Sequence, residues 1–154
     1  MASLKAFLVA VEMAERQRDE ARQALQDARN AQLAAQQQLE QIESYAAETQ
    51  NRWGLRADAT VKPEVMYHHY QFMDRLAHAS GLQSGVVGNH AARVEAAAQA
   101  LLQAELRVTS LKKVVDKRMR EMEQLQSRRD QKQTDERAAL QFRSAAASAS
   151  GQEY

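Results

Sequence analysis

Apolar residues recur on a seven-residue frame from Leu4 to Trp53. In heptad terms, positions a are Leu4, Val11, Arg18, Leu25, Gln32, Leu39, Ala46 and Trp53. Positions d are Phe7, Ala14, Ala21, Ala28, Ala35, Ile42 and Thr49. Only Arg18, Gln32 and Thr49 are polar, and the phase never slips. A period of about 3.5 residues held this long specifies a left-handed coiled-coil seam rather than a helix lying on a globular core. The successive Ala at d require close helix approach, with larger residues opposite to fill the space.

The pattern breaks once, at GLRADATVKP, residues 54–63. Gly54 is a natural helix stop, Pro63 suits a first helical turn, and Glu64 follows at the positive end of the helix dipole. The heptad then resumes in one frame. Positions a are Met66, Met73, Ser80, Val87, Val94, Leu101, Val108, Val115 and Met122. Positions d are His69, Leu76, Gln83, His90, Ala97, Ala104, Leu111, Arg118 and Leu125. Gly81, Gly85 and Gly88 each weaken a helix by roughly 1 kcal/mol. Because the frame crosses them unbroken, one long helix with a soft or kinked segment at 81–88 is expected.

The predicted fold is all-α, a long antiparallel two-helix coiled-coil hairpin forming a single domain over residues 1–143. Helix 1 covers about 4–53, the loop 54–63 and helix 2 about 64–143; the small, polar tail 144–154 reads as disordered. In an antiparallel pair a layers meet d layers, which leaves two registers. One sets Ala21 against Leu101, Leu25 against Ala97, Ala28 against Val94 and Gln32 against His90. The other sets Phe7 against Val108, Leu39 against Leu76, Ile42 against Met73 and Gln32 against Gln83. In both, helix 1 runs out near position 111 to 118 of its partner. At ~1.5 Å per residue the remainder of helix 2 overhangs the hairpin by roughly 40 Å. Its a and d positions turn polar there, at Arg129, Lys132 and Glu136. Isolated helices of this length are marginal in water, so the overhang frays until something binds it.

Composition supports that reading. The 154 residues include one Pro, five Gly and no Cys, with 27% charged and 5% aromatic side chains. Such a mix belongs to long helices. The absence of Cys fits a reducing compartment. The longest apolar run, residues 6–11, is far short of the ~20 needed to span a bilayer, and no signal-peptide pattern surrounds it. A soluble cytoplasmic protein is expected. Net charge is only +1, yet residues 1–53 hold six Lys/Arg against eight Asp/Glu, whereas residues 112–143 hold ten against six.

Chemistry-bearing motifs are scarce. No phosphate-binding Gly-rich loop, zinc-protease pair or nucleophile elbow is present, so neither an enzyme nor a cofactor is expected. MYHHYQF, residues 66–72, is the one titratable and aromatic cluster. His68 and His69 point about 100° apart on a helix and cannot converge on one metal, while Asp74 and His78 alone do not make a site. Position g carries Ala31, Gln38 and Tyr45 on helix 1 and Val65, Phe72, Ala79 and Val86 on helix 2. Antiparallel packing sets g beside g, which brings Tyr45 near Phe72 with Gln38, Ile42, Leu76 and Ala79 beside them. This flank is either a widened seam or an apolar patch for a partner segment. The basic end carries Arg128, Arg129 and Lys132 among Asp130, Asp135 and Glu136, with no aromatic residue to stack bases. It reads as a solvated helix or a protein contact, and no nucleic acid is expected.

RRDQKQTDERAALQFR (128–143) resembles the C-terminal signature of the FliJ family of flagellar type III export proteins. YHHYQFMDRLAHA (67–79) is similar to that family's Tyr-Gln-Phe region, and QQLEQIESYAAE (37–48) to the end of its preceding helix. The likeness covers residues 4–143. It implies a coiled-coil hairpin similar to the central stalk of rotary ATPases, acting as a non-catalytic stalk and chaperone-like adaptor. It further implies binding to the export ATPase FliI and to the linker of the export gate protein FlhA, escort of export chaperones, and a cytoplasmic location peripheral to the cell membrane. Gate-binding residues implied by the resemblance are Gln38, Ile42, Tyr45, Phe72, Leu76 and Ala79. Those implied for the ATPase are Arg128, Arg129, Gln131, Lys132, Asp135 and Glu136. The chain departs from the family at Thr49 and Gln83, where an aromatic and a His often stand. The competing readings are the equivalent stalk of a virulence-type secretion system and a generic coiled-coil scaffold.

Overall fold

The computed structural model describes residues 3–56 and 62–151. Two helices account for nearly all of them, α1 (Ser3–Arg56) and α2 (Pro63–Gly151), and they pack against each other as a helical hairpin. Pro63 opens α2, where its missing N–H costs nothing. The Lys62 carbonyl accepts from the amides of Val65 at 3.1 Å and Met66 at 3.2 Å, and Glu64 lies in the first turn.

One compact unit spans Glu15–Leu106. Here every a and d position of α1 from Arg18 to Trp53 is withdrawn from solvent, with Leu25, Ala35 and Leu39 buried. On the α2 side every a and d residue from His69 to Ala104 is likewise at least half-buried, and Met66 alone of the set is exposed. His69 stacks flat on Trp53, and Gln83 reaches α1 at Ala35 and Gln38. Those contacts fix the register that sets Leu25 against Ala97. In the alternative, Trp53 would face the residues preceding Pro63, and Gln83 would face Gln32.

The second unit comprises residues 1–14 with 107–154. Ala14, Val108 and Val115 are buried, while Leu4, Phe7, Val11 and Leu111 are half-buried. The Arg118 guanidinium lies 5.1 Å from the centre of the Phe7 ring, a cation–π contact that covers the last aromatic residue of the seam. Phe7 beside Arg118 fits the same register and excludes pairing with Val108. Val115 is the last withdrawn residue: from Asp116 to Gly151 every described residue is exposed.

Two boundaries differ from those read off the sequence. Gly54 lies inside α1, which continues to Arg56, so it does not cap the helix; the rest of the expected loop, 57–61, falls outside the described residues. As the unbroken frame requires, Gly81, Gly85 and Gly88 sit within one continuous α2 with no positive φ. Where a disordered tail was expected from 144, α2 continues to Gly151; residues 152–154 lie outside the described residues. Ala occupies much of 144–151, and it is the best helix former.

An added Cβ at Gly81, Gly85 or Gly88 would meet nothing within 4 Å. Combined Gly81→Ala, Gly85→Ala and Gly88→Ala is therefore expected to stabilise the hairpin by roughly 0.5–1 kcal/mol per site in urea titrations. A net loss of stability would mean that one of these positions needs close backbone approach.

Candidate functional site

The flank picked out by the g positions is built as the heptad requires. Tyr45 and Phe72 meet edge to face, with ring centres 6.0 Å apart and planes at 88°. Both keep substantial exposure, 52% for Tyr45 and 37% for Phe72, so they border the seam without joining it. Beneath them Ile42, Leu76 and Ala79 are half-buried. Gln38 is exposed, and its Oε1 accepts from Gln83 Nε2 at 3.1 Å. The same Gln83 amide donates to the Ala35 carbonyl at 2.9 Å. Gln83 thus ties α2 to both the backbone and a side chain of α1, from a d position at which the chain departs from the family. Along the α1 side of Tyr45 runs a shallow polar groove lined by Glu40 and Glu48 among others. The patch is apolar at its centre and acidic along that edge.

The six C-terminal candidates divide. Arg128, Gln131, Lys132, Asp135 and Glu136 line one side of the exposed helix together with Ala139. Arg129 turns away from them and borders a cleft with Leu4, Arg118, Met122 and Leu125. Adjacent helical residues point about 100° apart, which is why Arg128 and Arg129 part company. Among the described residues none of the six candidates is held in a hydrogen bond or ion pair, whereas Asp130 accepts from Gln126 at 3.2 Å and its carbonyl from Thr134 at 2.9 Å. The cleft is notable for its apolar floor: Met122 and Leu125 carry the seam pattern past Val115 and remain more than half exposed.

The sequence placed Trp53 and His69 in the seam but did not pair them. Their rings lie 4.0 Å apart at 4°, and His69 is 9% exposed. The Tyr70 ring lies tilted beside His69, with centres 5.9 Å apart. Choosing the register would have revealed the pair. Asp74 and His78 gather no third ligand, and no group of metal-binding side chains occurs among the described residues. None of the described helices is long and apolar enough to cross a membrane.

His69→Ala should expose Trp53, the only tryptophan, giving red-shifted emission and a loss of about 1–2 kcal/mol in denaturant titrations. Unchanged emission would place the stack outside the solution structure.

A family model described as "Flagellar FliJ protein" matches residues 4–147. Comparisons with curated proteins and with solved structures found no match.

Proposed function

The chain belongs to the flagellar FliJ protein family, and from that membership we propose that it is a non-catalytic stalk and adaptor of flagellar type III protein export. Membership alone makes it a component associated with the flagellar export apparatus. The finer reading assigns it two surfaces. The exposed length of α2 enters the ring of the export ATPase FliI, with Arg128, Gln131, Lys132, Asp135 and Glu136 on one side of the helix and Arg129 on another. The flank of Gln38, Ile42, Tyr45, Phe72, Leu76 and Ala79 docks the linker of the gate protein FlhA. Export chaperones are escorted by the same molecule, which works in the cytoplasm and reaches the inner face of the membrane through these partners.

What carries the ATPase half of this reading is the end of burial at Val115, while α2 continues to Gly151. A helix that keeps its geometry beyond its own seam offers all its sides to a surrounding partner. Mixed charge on that helix suits a ring interior, since it permits polar contacts in several rotational settings without one deep, desolvated ion pair. For the gate half, the support is the exposed Tyr45–Phe72 pair above a half-buried apolar floor. A segment docking there meets Glu40 and Glu48 at the edge and gains from basic side chains of its own.

Truncation before Ser127 tests the first half. The seam residues through Val115 remain, so the melting temperature should stay within a few degrees while stimulation of the cognate ATPase disappears. An ATPase indifferent to both full-length and truncated protein would sink the stalk assignment. For the second half, Tyr45→Ala with Phe72→Ala should lower stability by only about 1 kcal/mol, the worth of an exposed edge-to-face pair, yet weaken linker binding at least tenfold. A large fall in melting temperature with unchanged linker affinity would instead make the pair part of the seam.

A further inference from the structure

Lys113, Lys117 and Arg120 follow one another at four and three residues along α2, which aligns them on one side of the helix. All three are exposed and border a common groove. None is held in an ion pair with a described residue. The row lies opposite the seam, because Val108, Leu111 and Val115 turn toward α1. Gln124 and Arg128 continue it without an acid on the line itself, and Asp116 and Glu121 stand at its margins. Further on, the same side carries Asp135 and then Phe142, the latter at 76% exposure. Elsewhere Arg18 and Arg52 are paired, with Asp19 and Glu48.

We infer that this outward face of α2 is a contact for an anionic phospholipid surface. A plane of mobile headgroups can reach all three cations at once, and it can thin its charge beneath Asp116 and Glu121. A nucleic acid would bring phosphates of fixed spacing against those two acids, and no exposed aromatic between residues 109 and 131 offers a base-stacking platform. The exposed Phe142 adds an apolar side chain suited to the headgroup boundary. Each cation near such a surface contributes modestly, so the attachment is weak, reversible and sensitive to salt. It is a direct contact, separate from any location conferred by protein partners; Lys117 and Arg120 lie on the length of α2 proposed to enter the ATPase ring, so that length serves one surface at a time.

Flotation of the full chain with vesicles tests this. With phosphatidylcholine vesicles containing about one third phosphatidylglycerol, the protein should float at low salt and be released between about 0.1 and 0.5 M salt. It should ignore pure phosphatidylcholine. The K113Q/K117Q/R120Q variant should keep its helical circular dichroism and its gate-linker affinity while losing at least about tenfold in vesicle binding. K113R/K117R should bind as the parent does. Equal binding to both vesicle types, no binding at all, or full binding by the triple Gln variant would overturn the assignment. So would tighter binding to a nucleic-acid duplex or to polyglutamate than to the anionic vesicles at the same salt.

Discussion

Everything in this protein depends on one seam. A helix satisfies its own backbone hydrogen bonds but not its apolar stripe, and an apolar stripe with a seven-residue period can be buried only along a second helix. Among the described residues few apolar side chains are buried: Leu25, Ala35 and Leu39 in the unit Glu15–Leu106, and Ala14, Val108 and Val115 in the other. Half-buried a and d residues supply the rest. Small Ala at d on α1 lets the helices come close, and larger α2 residues such as Val94 and Leu101 stand in the facing layers. The candidate functional surfaces lie on the outside of the helix pair.

Two of those surfaces arise where the seam is incomplete. At the Tyr45–Phe72 flank, the g positions are large and apolar when they could have been charged, and the groove between the helices fills only partly. At the other, α2 outlasts its contacts. Arg118 folds its guanidinium over Phe7, ending the aromatic part of the seam with a charge, and the next apolar a and d residues, Met122 and Leu125, are left open beside Leu4. After Leu125 the frame turns polar, which keeps the exposed helix from sticking to other apolar surfaces. The flagellar export role proposed for this family member uses both gaps.

The heptad frame was legible in the sequence to the residue, because a strict period leaves no freedom in which side chains face inward. All fifteen α1 seam positions named from the pattern are withdrawn from solvent. The helix pair and the end of the seam followed from counting. Register was not legible: Ala at successive d positions accepts many partners, and Gln32 finds a polar residue opposite in either alignment. The Trp53–His69 stack and the Gln83 tie went unseen for that reason. The Tyr45–Phe72 contact was legible because g meets g in both registers. Helix ends failed for another cause. A glycine costs a helix roughly 1 kcal/mol locally, and an established helix with good formers on both sides absorbs it, as at Gly54. The division of the C-terminal candidates into Arg129 and the other five needed the helix carried through in three dimensions.

The central claim is that α2, exposed from Asp116 to Gly151, gains a partner on the ATPase. Amide hydrogen exchange along the full chain, alone and with the cognate export ATPase, tests it most directly. The account predicts slow exchange through residues 101–115, exchange at least about a hundredfold faster across 116–151 in the free protein, and protection of 116–151 once the ATPase is added. Uniform slow exchange in the free chain, or fast exchange across 116–151 that the ATPase leaves unchanged, would contradict it.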